Sequence, residues 1–319
     1  MYVPATPSPQ RCASRSLLNN QPIYLRACHS PWRCINPHVL TVIRLLVTGY
    51  LISVAGVSLK YKLEVEDSHT RWRIPFQFST VTFVLLLAYN LQVTLWTIMH
   101  LLFPHPVYED AADDYGNSLG NKLVTAMSPP GRATSPQHRF FFSLFYTVTH
   151  VFTIANTIIY WAILVPSGHG GFKAPKMSHP NHPPKNQTAV LYDPDKGLFE
   201  EGGIKAFSII SVWTMTTVIA LLEVVFFNSI RRQMPVAGHV ASVILASGAY
   251  LAWAGIGRLL TGHAGLFFLD PAELGNVEEA TIAASLAFLA LTPGIFSYMY
   301  GLIAMRESMT AHHGAHGSN

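Results

Sequence analysis

Residues 206–262 constrain this chain more than any other stretch. They read as two apolar helices joined by a short basic turn, SIRRQMPV. The first, 206–228 (AFSIISVWTMTTVIALLEVVFFN), carries one carboxylate, Glu223. The second, 237–260, carries His239 near its start and Arg258 near its end. A helix rises 1.5 Å per residue, so about 20 apolar residues cross a hydrocarbon core ~30 Å thick. Both segments exceed that length. They predict a transmembrane hairpin.

The rest of the chain repeats the pattern. Half of its 319 residues are hydrophobic and only 12% are charged, about half the charged share of a soluble domain. Further apolar runs lie at 39–60, 75–103, 140–164 and 280–305. The expected fold is all-α: a polytopic membrane protein with a bundle of six transmembrane helices over 39–305. The flanks are an arm, 1–38, and a His-containing flexible tail, 306–319. The arm holds four Arg, four Ser and six Pro with no Asp or Glu. Its prolines break any long amphipathic helix of the transit-peptide kind, so a disordered cytosolic arm is expected.

The net charge of +4 is spread over many loops, and no basic stripe with interleaved aromatics points to nucleic acid. The lipid bilayer is the expected partner. Cysteines occur only at 12, 28 and 34, which gives neither a disulfide framework nor a paired metal-ligand motif. Cys34, just before the first span, is open to S-palmitoylation in principle, but free thiols in a flexible arm suffice to explain all three.

Orientation follows from the short loops. Arg231 and Arg232 sit in the turn between spans four and five, and the loop between five and six is acidic. Positive charge favours the cytosolic side, so both termini are expected there. The sequon Asn186-Gln187-Thr188 then falls in a lumenal loop, where it is a glycosylation acceptor. The endoplasmic reticulum and the plasma membrane both fit. Small residues at Ser242 and Ala246, Gly248 and Ala252, and the alanines 280, 283, 284, 287 and 290 suggest that spans five and six pack through small-residue faces. Pro293-Gly294 is expected to kink or loosen span six.

Ionisable groups inside a span are costly and mark candidate sites. His150, Glu223, His239 and Arg258 qualify. The hairpin turn can bring Glu223 beside His239, where the carboxylate would orient the imidazole; a structural ion pair is the plainer alternative. Arg258, like Arg44 in span one, is expected to snorkel to the headgroups. His100, His150, His239 and His263 follow no metal-ligand spacing, and neither a metal nor a cofactor is expected. Span two opens RWRIPFQFST, which places Ser79, Thr80 and Thr82 in its first turns. Such a hydroxyl caps its own helix backbone unless a base lies within reach.

These residues also carry a resemblance. RWRIPFQFST, together with Tyr250-Leu-Ala-Trp253, Thr261-Gly262 and Phe267-Phe268, resembles motifs of the androgen-induced protein family of multi-pass membrane fatty-ester hydrolases. The turn FFNSIRRQMPV is similar to one in rolling-stone-like membrane proteins. The likeness runs in helix order over residues 40–305 but rests on short motifs. The first resemblance implies hydrolysis of fatty acid esters of hydroxy fatty acids by an intramembrane Thr and His. The Thr maps onto Thr80. The His position falls near Thr216, which cannot serve as an imidazole base, so His150 becomes the candidate replacement. The alternative is a non-catalytic membrane protein: a transporter, a lipid-binding scaffold, or a cell-fusion or adhesion factor.

Overall fold

A computed structural model describes residues 22–32, 34–65, 71–102, 127–130, 134–166, 203–262, 264–270 and 278–315. These build an all-helical bundle with six helices long and apolar enough to cross a membrane. A short α1 (Ile23–Ala27) precedes the spans α2 (Pro37–Val65), α3 (Phe78–Leu102), α4 (Pro136–Leu164), α5 (Gly203–Phe227), α6 (Val236–Thr261) and α7 (Glu278–Ala315). Asn186, Cys12 and His263 lie outside the described residues.

Helix α4 is the centre. Its most apolar window is 61% buried, against 22–50% in the other spans, and it packs on α3, α5, α6 and α7. Helix α2 closes one side against α3 and α5. The outward faces stay apolar, with Leu46, Leu245, Leu259 and Leu260 all strongly exposed. Apolar surface on that scale is a liability in water and the expected state in lipid. The chain is a multi-pass integral membrane protein.

Aromatic clusters fasten the two ends. Tyr24 of α1 sits 5.5 Å from Trp96 and 5.2 Å from Phe142, centroid to centroid. At the far end Phe78 meets Phe152 at 5.4 Å, Tyr250 at 4.7 Å and Phe288 at 5.3 Å, joining α3, α4, α6 and α7. Such pairs add about 0.5–1.5 kcal/mol beyond area burial.

Two expectations change here. Within the arm, residues 22–32 are structured: α1 folds back into the near end of the bundle, with Tyr24, Ala27 and Cys28 buried. Helix α7 runs through Pro293 without interruption. It meets the core through Phe288, Thr292, Ile295, Phe296, Met299 and Ile303, all buried. Ala283, Ala287 and Ala290 face outward. Spans five and six do pack together, with Ala246 and Ala284 partly buried against the core, while large side chains at 3–4-residue spacing fill the groove beside α4. A Ser247–Thr292 hydrogen bond of 2.9 Å still ties α6 to α7.

The start of α3 is held by close backbone approach. A 3-10 turn, Arg71–Phe76, leads into it, and Tyr250 and Trp253 of α6 donate to the carbonyls of Phe76 (3.2 Å) and Pro75 (3.0 Å). A Cβ at Gly265 would stand 1.8 Å from the Phe76 carbonyl oxygen. Backbone cannot swing aside as a side chain can. Gly265→Ala should therefore destabilise the bundle by about 1–3 kcal/mol in thermal melts. Gly255→Ala, where a Cβ meets nothing within 4 Å, should be neutral or slightly stabilising.

Candidate functional site

The last turn of α5 ends inside the bundle, where water cannot satisfy its carbonyls. Its helix widens to a π turn over Glu223–Phe227, and Asn228 is extended. Donors from three other segments then take up the exposed oxygens. Arg306 Nη1 donates to Val224 O at 2.5 Å and to Asn228 O at 2.7 Å. Trp32 Nε1 donates to Val225 O at 2.8 Å, and Ser30 Oγ to Phe226 O at 2.6 Å. Arg44 Nη2 donates to Phe227 O at 2.8 Å. Arg306 Nη2 also donates to Ile230 O. Cations at a helix C-terminus also oppose its negative dipole end.

Arg44 is the hub. Its Nη2 reaches Glu223 Oε1 at 2.9 Å and the Ala27 carbonyl at 2.6 Å, and its Nη1 reaches Thr97 Oγ1 at 2.5 Å. Tyr89 donates to the same Glu223 oxygen at 3.2 Å. Arg44 and Glu223 are each 2% exposed. The snorkelling expected of Arg44 is thus corrected: its planar fork serves acceptors on α1, α3 and α5 together, which no headgroup position allows.

Arg306, expected in a flexible tail, lies on α7 and is 1% exposed. Sequence reasoning missed Arg44 as the partner of Glu223 and Arg306 as the donor to the carbonyls around it. A lone carboxylate in an apolar span demands a buried cation, and Arg44 and Arg306 stand near the ends of spans one and six. Arg258 is exposed on α6.

Glu223 and His239 do not meet. His239 bonds Ser143 through Nε2 at 2.8 Å and the Pro235 carbonyl through Nδ1 at 3.0 Å, while Gln233 accepts from Ser143 and from Thr147. Arg44 holds the carboxylate instead, in a charge-assisted hydrogen bond. His150 is fully buried on α4, with Nδ1 donating to Tyr146 O at 2.7 Å and its ring edge-on to Tyr89 at 4.9 Å. His100 packs against His29 at 4.9 Å. Among the described residues no three His, Cys, Asp or Glu side chains cluster as a metal site.

Thr80 lies at the opposite end, half-buried in the first turn of α3. Lys62 Nζ, from the last turns of α2, stands 3.0 Å from Thr80 Oγ1 and 2.6 Å from Gln77 Oε1. Tyr89, which touches His150, is nine residues along the same helix, a rise of about 14 Å. The His150 ring bonds its own helix at Tyr146 O, and the group in contact with the Thr80 hydroxyl is Lys62. Lys62 was not singled out in the sequence because it sits two positions past the expected end of span one. No protein-family model, curated protein or solved structure matches the chain.

Proposed function

We propose that this membrane protein hydrolyses lipid carboxylic esters, with Thr80 as nucleophile and Lys62 as its base. The carrying observation is the 3.0 Å contact between the Thr80 hydroxyl and the Lys62 amine at one end of the bundle. Hydroxyl–lysine pairs are an established variant of hydroxyl–imidazole catalysis. They supply what the resemblance to fatty-ester hydrolases leaves open when its histidine is replaced near Thr216. An ester of a hydroxy fatty acid is the matching substrate. Cytosolic termini would place this chemistry at the lumenal face.

The step uses the amine uncharged. Lys62 takes the Thr80 proton as Oγ1 attacks the ester carbonyl carbon. The tetrahedral intermediate collapses with loss of the alcohol, which leaves with the proton from Lys62. Water then attacks the acyl-Thr80 ester, giving its proton to Lys62, and Thr80 regains that proton as the acid departs. Gln77 orients the amine through its 2.6 Å contact.

Turnover of such an ester by protein in nanodiscs tests this. Thr80→Ala and Lys62→Met should each cut the rate at least about a hundredfold, with melting temperatures unchanged. Full turnover by Thr80→Ala would refute the assignment. The competing reading is a non-catalytic membrane protein, favoured by Thr80 pairing with Lys62 rather than with an imidazole. Wild-type protein that is folded but inert on the ester would support it.

A further inference from the structure

Residues 22–32 form a strap across the near end of the bundle, and none of the chemistry above uses it. Its hold is polar and specific. Ala27 O accepts from Arg44 at 2.6 Å. Arg26 O accepts from the Ser229 amide and hydroxyl, both at 2.9 Å. Ser30 and Trp32 donate to the α5 carbonyls already named. Within it, His29 is wedged edge-on against His100 of α3, the ring centroids 4.9 Å apart.

We propose that this strap is an acid-released latch, in which protonation of His29 against His100 and Arg44 frees residues 22–32 from the bundle end. The charges around it are unfavourable to a second cation. Helix α2 presents Arg44, whose charge is already matched to Glu223 of α5. Helix α3 presents His100. Arg26 of the strap feels Arg231 of the turn as a like charge, and Arg139 of α4 lies near Tyr24. Glu307 of α7 is paired with Arg232 at 3.0 Å. Cys28 offers no anion, because burial pushes its thiol up to about 12.

Burial, with the His100 ring and the Arg44 guanidinium beside it, pushes the His29 imidazole down to about 4. The sign follows. The released strap binds a proton near pH 6.5 and the docked strap only near pH 4, so docking is fully favoured above 6.5 and weakens as the pH falls from 6.5 towards 4. At pH 5 the docked fraction relative to the released one drops about thirtyfold.

Hydrogen exchange of the full chain in nanodiscs reads this, with rates normalised to intrinsic exchange at each pH. The amides of Leu25, Arg26 and Cys28 donate within the strap and serve as reporters. Their protection should fall about thirtyfold from pH 7.5 to pH 5, while α4 stays protected. His29→Gln should keep the strap docked and remove the pH dependence. Should glutamine not dock, His100→Gln takes its place, and the fall should shrink because a like charge is gone. Equal strap protection at both pH values, or an undiminished fall in a docked His29→Gln or in His100→Gln, would overturn the latch.

Discussion

Arg44→Ala should lower the stability of the bundle by about 3–5 kcal/mol, enough to deplete folded protein in mild detergent. The loss has two sources. Glu223, 2% exposed, loses its cation and keeps a hydrogen bond from Tyr89. At the same time Ala27 O, Phe227 O and Thr97 Oγ1 lose their donor. A buried group stripped of its partner costs more than the pair contributed. Arg44→Lys should fall between, since an ammonium keeps the charge but cannot span acceptors on three helices. The double variant Arg44→Met, Glu223→Leu should recover much of the loss, because it removes both charges together. Unfolding titrations of the wild type, Arg44→Met, Glu223→Leu and the double variant give the coupling directly. Additive losses would mean that the pair does not act as one unit.

Arg306→Ala carries the second large effect. Its guanidinium holds Val224 O, Asn228 O, Asn228 Oδ1 and Ile230 O, so truncation leaves the C-terminal carbonyls of α5 unmatched in a dry setting. Each hydrogen bond to a charged donor is worth about 1.5–3 kcal/mol and the set is not additive, so a total near 3 kcal/mol is expected. The local signature is sharper than the global one. Exchange protection at the Asn228 amide, which donates to Glu223 O at 3.2 Å, should drop before that of α4. Truncating the exposed Arg258 should change neither readout, since an exposed cation caps nothing buried.

The six spans were legible because an apolar run of about 20 residues admits one solution in lipid. Glu223 was legible as a costly group for the same reason. Its partner was not. Hairpin proximity favoured His239, yet the carboxylate is bound by Arg44, 179 positions away in sequence. A contact across the bundle leaves no trace in local spacing. The order of residues 22–32 escaped for a related reason: composition shows that an arm cannot form its own core, not that it can finish another helix's cap. Thr80 was visible through its motif, whereas Lys62 became its partner only because α2 extends to Val65 and carries the amine to the first turn of α3.

Covalent trapping tests the proposed chemistry most directly. Membranes bearing the wild-type chain, Thr80→Ala or Lys62→Met at matched abundance are treated with a fluorophosphonate, and the modified peptide is located by mass spectrometry. Such reagents react with activated hydroxyls and spare ordinary ones. An adduct on Thr80, lost in Thr80→Ala and strongly reduced in Lys62→Met, is the predicted result. A folded wild-type chain without an adduct, or one carrying it elsewhere and unaffected by Thr80→Ala, would contradict the assignment.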